Sequence, residues 1–450
     1  MKRAQLLIGL MLCALFALVP ARHTLAVEIA GELHGAVHWS GEVLLTGPVV
    51  VPAGARLDIA PGTRVRAATA DSTLRIQGVL QVAGEAEAPV EFLTPHGWQG
   101  ILVDRPQEPP RIRHARFSKA AVALSVQAAE MHLDQVVFRD CTTAIKALRE
   151  AHLLVMGSRF ERNQVGVDAD LKSLVDVRDS VFTMHGEAGV RVTNGCRLNV
   201  FSSRFADNGA GIVLLQKISG EIRETRFVNN DRGLNCSRIG EGLLVRGNLF
   251  EQNRIALESG TFSQPLLSDN RFLGNGTAVK SDQFATGEFL HNLFEGNGTA
   301  LQNTRRADPL VSHNVFSSNG VAVFCDFSSY PRIRDNNFLD NPLAVKLGSF
   351  QSAAGARPPG TQREAGFSGP AQPRAGADAP TQDFIDASSN WWGEDTAQLA
   401  AGGSGGNPSI FFDRKDQPEV ELGDSEGGGV LDVVHFSPWL GAPVLDAGPR

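Results

Sequence analysis

Eleven phenylalanines recur through this chain at a nearly constant interval. Phe117, Phe138, Phe160, Phe182, Phe205, Phe227, Phe250, Phe272, Phe294, Phe316 and Phe338 follow one another every 21 to 23 residues. A period this tight means that one short unit is copied and stacked, each Phe lying on the next. It also means that most patterned residues serve the stack and not a reaction.

Aligned on their Phe, the units show further columns. Two residues before Phe stand Ser158, Ser180, Ser203, Thr225, Asn248, Asn270, Asn292, Asn314 and Asn336; three after it stand Asn163, Asn208, Asn230, Asn253, Asn275, Asn297, Asn319 and Asn341. Asn tolerates left-handed turns, and stacked amides bond to one another in ladders. Six after Phe the residue is always Ala or Gly, followed in most units by an aliphatic residue such as Ile212, Leu234 or Val323. Alternation then points Cys236 and Cys325 inward and Asn235 and Glu258 outward. Each coil therefore holds about three short strands joined by Asn/Gly turns. Helical periodicity is missing, the leucine-rich consensus does not fit, and a propeller blade needs about twice the length. A solenoid of parallel strands is what remains.

The composition of 42% hydrophobic and 20% charged residues is that of a globular chain, and a net charge of -7 argues against nucleic-acid binding. With 25 Phe against one Tyr, the rings are there for packing. Residues 1–26 read as a signal peptide: Lys2-Arg3, an apolar run from Leu6 to Val19, and Thr24-Leu25-Ala26 before a cut at Val27. An uncleaved anchor is the alternative, but the run is short for a span. No later segment is long and apolar enough to cross a bilayer. The expected location is exported: periplasmic, cell-surface or extracellular. An exported chain permits disulfides, yet Cys236 and Cys325 stand four repeats apart. At ~4.8 Å per strand that is roughly 19 Å, too far for a bridge. Buried free thiols are expected.

Residues 27–97 read as an N-terminal cap and irregular first coils, 98–350 as regular repeats, 351–383 as a flexible Ala/Gly/Pro-rich loop, and 384–450 as a last coil and C-terminal cap. The Asn-x-Phe-x-x-Asn-x-x-Ala-Val/Leu unit, the Pro-Ala-Gly entry at Pro52-Ala53-Gly54 and the Asn390-Trp391-Trp392-Gly393 ending together resemble the right-handed parallel β-helix repeat proteins of the pectin-lyase-like superfamily, exported bacterial type. The resemblance implies an all-β, single-stranded right-handed parallel β-helix of about 22-residue coils with N- and C-terminal caps. It implies little about function, because that fold hosts lyases, hydrolases, epimerases, adhesins and a periplasmic protein of copper-site maturation.

Candidate chemistry is sparse. The Asn-Thr-Asp, Asp-Asp, Gly-His-Gly and Arg-Ile-Lys signatures of the superfamily's polysaccharide hydrolases are not present complete, and no catalytic residue is assigned. Arg204 and Arg226 stack one coil apart, as do Arg223 and Arg246, making an Arg face for an acidic sugar chain or a set of solvated charges. Three before Phe, four successive coils carry Asp269, His291, His313 and Asp335. Imidazole and carboxylate suit a divalent transition metal, although side chains stacked in register point parallel where ligands must converge. His185 and His435 read as structural. All five Trp lie outside the regular repeats and are expected to pack the ends.

The leading expectation is a non-catalytic exported β-helix that offers a binding or structural surface at the cell envelope to polysaccharide or an envelope protein, without a cofactor. A polysaccharide lyase, epimerase or hydrolase is the second, and a periplasmic metal-handling protein, with a divalent metal on the His291/His313 column, is the third.

Overall fold

The computed structural model describes residues 26–352, 383–419 and 431–450. The signal peptide and nearly all of the 351–383 loop lie outside the described residues. Within them the chain winds into a right-handed parallel β-helix. The coil around Phe227 is representative, with strands Ser219–Arg223, Arg226–Val228 and Arg232–Ser237. The first kind of strand builds a 14-stranded sheet, and the other two kinds fall into one 29-stranded sheet, among the described residues. Rungs pair in parallel and in register, Phe227 on Phe250 and Cys236 on Ser259. Strands buried on the inner face alternate outward, so Cys236 is buried while Asn235 and Glu258 are half-exposed.

The Phe rings form the expected ladder. Neighbouring centroids lie 4.4 to 5.2 Å apart, from the Phe92–Phe117 and Phe160–Phe182 pairs to Phe205–Phe227. That is the strand spacing, in the offset stacking that aromatic quadrupoles favour. The ladder runs further than the sequence period. Phe92 starts it one coil early, and Trp392 ends it, stacked 4.6 Å from Phe338. Asn390 continues the Asn column on the same rung, its Oδ1 accepting the Asn336 amide at 2.9 Å. Asn390-x-Trp392 is thus one more Asn-x-Phe unit with a larger ring. Trp39, Trp98 and Trp392 are buried, in keeping with end packing. The helix Thr396–Gly402 follows, with Leu399 buried.

The turns differ from expectation in one respect. The ladder Asn residues are not themselves left-handed; the residue before each one is. Glu224, Asp269, His291 and Asp335 have φ of 52°, 57°, 56° and 57°, and Asp207, Asn229 and Gln252 have 58°, 54° and 54°. A lone left-handed residue costs little more than a kcal/mol or two, and the Asn after it locks the bend. Asn275 shows how. Its amide N–H and Nδ2 both donate to Asn297 Oδ1, its Nδ2 also donates to Phe250 O, and its Oδ1 accepts from the Asn253 amide and Nδ2, all at 2.9 to 3.0 Å. In the column six after Phe the backbones approach closely. A Cβ on Gly233 would sit 2.5 Å from the Ala256 carbonyl. The four described cysteines are free and buried. Burial pushes the Cys141 thiol up to about 11 and the Cys236 and Cys325 thiols higher still.

Candidate metal site on a turn face

The residue three before Phe stands at the tip of a left-handed bend, so its side chain leaves the rod. His291 and His313 are brought together, with ring centroids 5.1 Å apart and planes tilted by 41°. The two outer members of the column are not drawn in. Asp269 Oδ2 is held by Arg246 Nε at 3.1 Å and its Oδ1 accepts the Arg450 amide at 3.2 Å. Asp335 stands one rung beyond His313.

A third group enters from the far end of the chain. The tail 444–450 runs back across these rungs, tied at Asn337 by two hydrogen bonds to Val444 and at His313 by the Gly448 amide. His291 Nδ1 donates to the Asp446 carbonyl at 2.9 Å. That bond assigns the tautomer and leaves Nε2 with a free lone pair. His313 Nε2 lies 3.8 Å from Asp446 Oδ1, and its Nδ1 is 2.7 Å from Ser312 Oγ. The tail's contribution was not foreseeable from spacing, since Asp446 belongs to no repeat column. Two imidazoles beside one carboxylate are the donor types of a Cu2+ or Zn2+ site. Among the described residues, no group of three or more His, Cys, Asp or Glu is already arranged to hold a metal ion.

A second His/carboxylate cluster escaped the sequence reading. On the outer face of the 14-stranded sheet, Glu130 Oε1 is 2.5 Å from His132 Nε2, and His152 Nε2 is 3.1 Å from Asp176 Oδ2. His152 Nδ1 is 3.8 Å from Glu130 Oε2. Both nitrogens of His152 face carboxylates, so this ladder is closed by its own pairs.

The predicted Arg face divides. Arg204 stacks on Arg226 and Arg223 on Arg246. Arg246 is committed to Asp269, and Arg223 sits over the Phe201 ring at 4.6 Å. A groove of about 640 Å³ lies further along, lined by Leu244, Leu266 and Leu310 with Glu241, Glu288, Asp308 and Arg332. Burial raises the Asp308 carboxyl above its ordinary value, and its Oδ1 accepts the Tyr330 amide at 2.5 Å.

A family model described as periplasmic copper-binding protein (NosD) matches residues 127–288 and 223–352, which together span half of the chain. No curated protein matches. Among solved structures, pectate lyase Pel9A is 13% identical over 66% of this chain and 70% of that chain, with a TM-score of 0.25. That superposition is too poor to inform the site.

Proposed function

Since the chain belongs to the NosD family of periplasmic copper-binding proteins, we propose that it is an exported metal-handling protein that carries copper on the turn face at His291 and His313. The carbohydrate surface favoured by sequence reasoning yields to this reading, because the family match is to copper binders and the Arg face is partly spent on ion pairs. The single structural observation that carries the site is the pinned His291 ring, whose Nδ1 bond to Asp446 presents Nε2 as a donor beside a second imidazole. Asp446 is the carboxylate nearest to that pair and Asp335 the next along the column; Asp269, already tied to Arg246, is the least available. The thiols are not candidates, being buried and held protonated.

Calorimetry of Cu2+ binding to the mature chain tests the proposal. His291→Ala and His313→Ala should each weaken binding by about tenfold or more, since removing a residue that merely supports a ligand already costs roughly 10–100-fold. His152→Ala should leave it unchanged. Unchanged heats in both turn-face variants, or loss only in His152→Ala, would remove copper from this site.

A further inference from the structure

We propose that the third corner of the coil docks the protein onto an anionic phospholipid bilayer. This reading does not depend on the metal site, which uses a different turn. The third corner follows the longest strand of each coil. It is made by one or two left-handed residues, Lys172 and Lys217 at 60°, Arg238 at 54°, Phe262 at 55°, Phe284 and Arg306 at 61°. Left-handed tips throw their side chains outward, so these form a convex ridge. Eight rungs from Lys172 to Phe327 make a line of roughly 35 Å at strand spacing.

Two kinds of side chain occupy the ridge. Lys172, Lys217 and Arg238 line a shallow hollow of about 640 Å³ with Asn194, Gly195 and Gln216. Nearby outward arginines such as Arg232, Arg254 and Arg305 are bound to carboxylates. Among the described residues, Lys172, Lys217, Arg238 and Arg306 take part in no ion pair. In a chain of net charge -7, an unneutralised cationic row marks a negative partner. Further along come exposed rings: Phe262 at 58%, Phe284 at 45% and Phe327 at 44%.

The rings decide what kind of negative partner. A sugar chain docks on an open ring face. Here Phe262 and Phe284 stack on each other at 5.2 Å, and the Arg306 guanidinium on the next rung lies 5.8 Å from the Phe284 centroid. Both faces of Phe284 and one face of Phe262 are thereby covered, while the two rings stay 45% and 58% exposed. Ring edges on a convex ridge, flanked by lysine and arginine, suit insertion at the headgroup boundary of a membrane. Both the apolar edge and the charge then contribute.

Vesicle sedimentation with the mature chain tests this. The protein should pellet with vesicles of phosphatidylcholine and phosphatidylglycerol in equal parts, not with phosphatidylcholine alone, and salt should release it. Lys172→Glu, Lys217→Glu and Arg238→Glu together should weaken binding on the order of 100-fold or more. The corresponding Gln triple variant, with an unchanged circular dichroism spectrum, should lose on the order of 100-fold and guards against misfolding. Phe262→Ser with Phe284→Ser should weaken binding further at raised salt. Equal pelleting with both lipids, or charge variants that bind like the native chain, overturns the proposal. So does tighter binding to soluble polygalacturonate than to vesicles, which would make the ridge a polysaccharide site.

Discussion

Replacing His185 by Asn should make the rod more stable, and most of all in mild acid. His185 stands three after Phe182, in the column of ladder amides between Asn163 and Asn208. Its Nδ1 donates to the Thr183 carbonyl at 2.8 Å, and its Nε2 is buried without a partner. Burial lowers the imidazole from its ordinary value to about 4. An unfolded chain takes up the proton near pH 6.5. Between those values the unfolded state binds a proton that the folded state refuses. The stability due to the neutral ring is therefore complete above about pH 6.5 and falls as pH drops toward 4. The slope approaches 1.4 kcal/mol per pH unit, which removes about 2 kcal/mol at pH 5 and about 3 at pH 4. Asn removes that dependence. It also restores the hand-over seen at Asn275, with an acceptor for the Asn163 amide and donors to Asn208 Oδ1 and Phe160 O. Three new buried bonds less the His185–Thr183 bond leave a net two at about 1 kcal/mol each; less about 1 for the lost ring volume, roughly 1 kcal/mol remains in favour of Asn at pH 7 and about 3 at pH 5. Hydrogen exchange resolved across rungs 160–208 at both pH values, native against His185→Asn, measures the local difference. Parallel pH dependences in the two proteins, or a variant that opens more readily at pH 7, would refute the reasoning.

Two further outcomes follow from the ladders. Asn275→Ala breaks two donated and two accepted side-chain bonds and strands the Asn253 amide, so urea unfolding should show a loss of about 3–5 kcal/mol; a loss below 1 would show that water replaces the ladder. Phe250→Ala should cost about 3–5 kcal/mol, whereas Phe284→Ala, an equally aromatic but solvent-facing change, should stay within about 0.5; equal losses would mean that the outer ring stack also holds the rod together.

What was legible in the sequence is what the buried ladders impose. Phe227, Asn230 and Cys236 keep fixed offsets because their strands and the two Asn-locked bends have constant length from coil to coil. Any residue tied to that frame can be placed, including the His291/His313 pair. The third corner keeps its offset but not its residue type: Lys172, Lys217, Phe262, Phe284 and Arg306 all stand twelve after a repeat Phe, while Asn194, Ile239 and Ser328 fill the same place on other rungs. It has two left-handed residues at Gln216/Lys217, one at Arg238 and two again at Gln283/Phe284. Only Arg238 and Phe327 are offset by one, at eleven after Phe; elsewhere the column aligns, but it mixes cations, rings and polar residues that no single packing demand selects. Trp392 was hidden for a different reason. The period is broken before it, although Asn390-x-Trp392 preserves the unit's internal spacing. The crossing tail joins unrelated columns, and the Glu130/His152/Asp176 ladder joins the column eight before Phe to the outward column two residues on at the next rung.

A stack built by translation sets a condition on any ion site it carries. Copies of one side chain at strand spacing point the same way, so a column alone gives parallel donors and not converging ones. His291 and His313 depart from parallel by 41°, and they do so where the tail crosses the rungs at an angle. Asp446 supplies a backbone carbonyl to one ring and a carboxylate oxygen near the other. The irregular chain end thus breaks the repeat symmetry at the one place in that column where two imidazoles meet. The tail also carries Arg450, which reaches Asp446 and whose amide reaches Asp269. Bringing Asp446 toward an ion on the imidazole pair competes with these bonds, so a metal held here must draw on the same groups that fasten the tail. If the pair holds copper as proposed, its affinity and the tail's attachment are linked quantities: whatever loosens 444–450 from the rod should alter the affinity of the imidazole pair, and an ion on the pair should in turn change how firmly the tail is held.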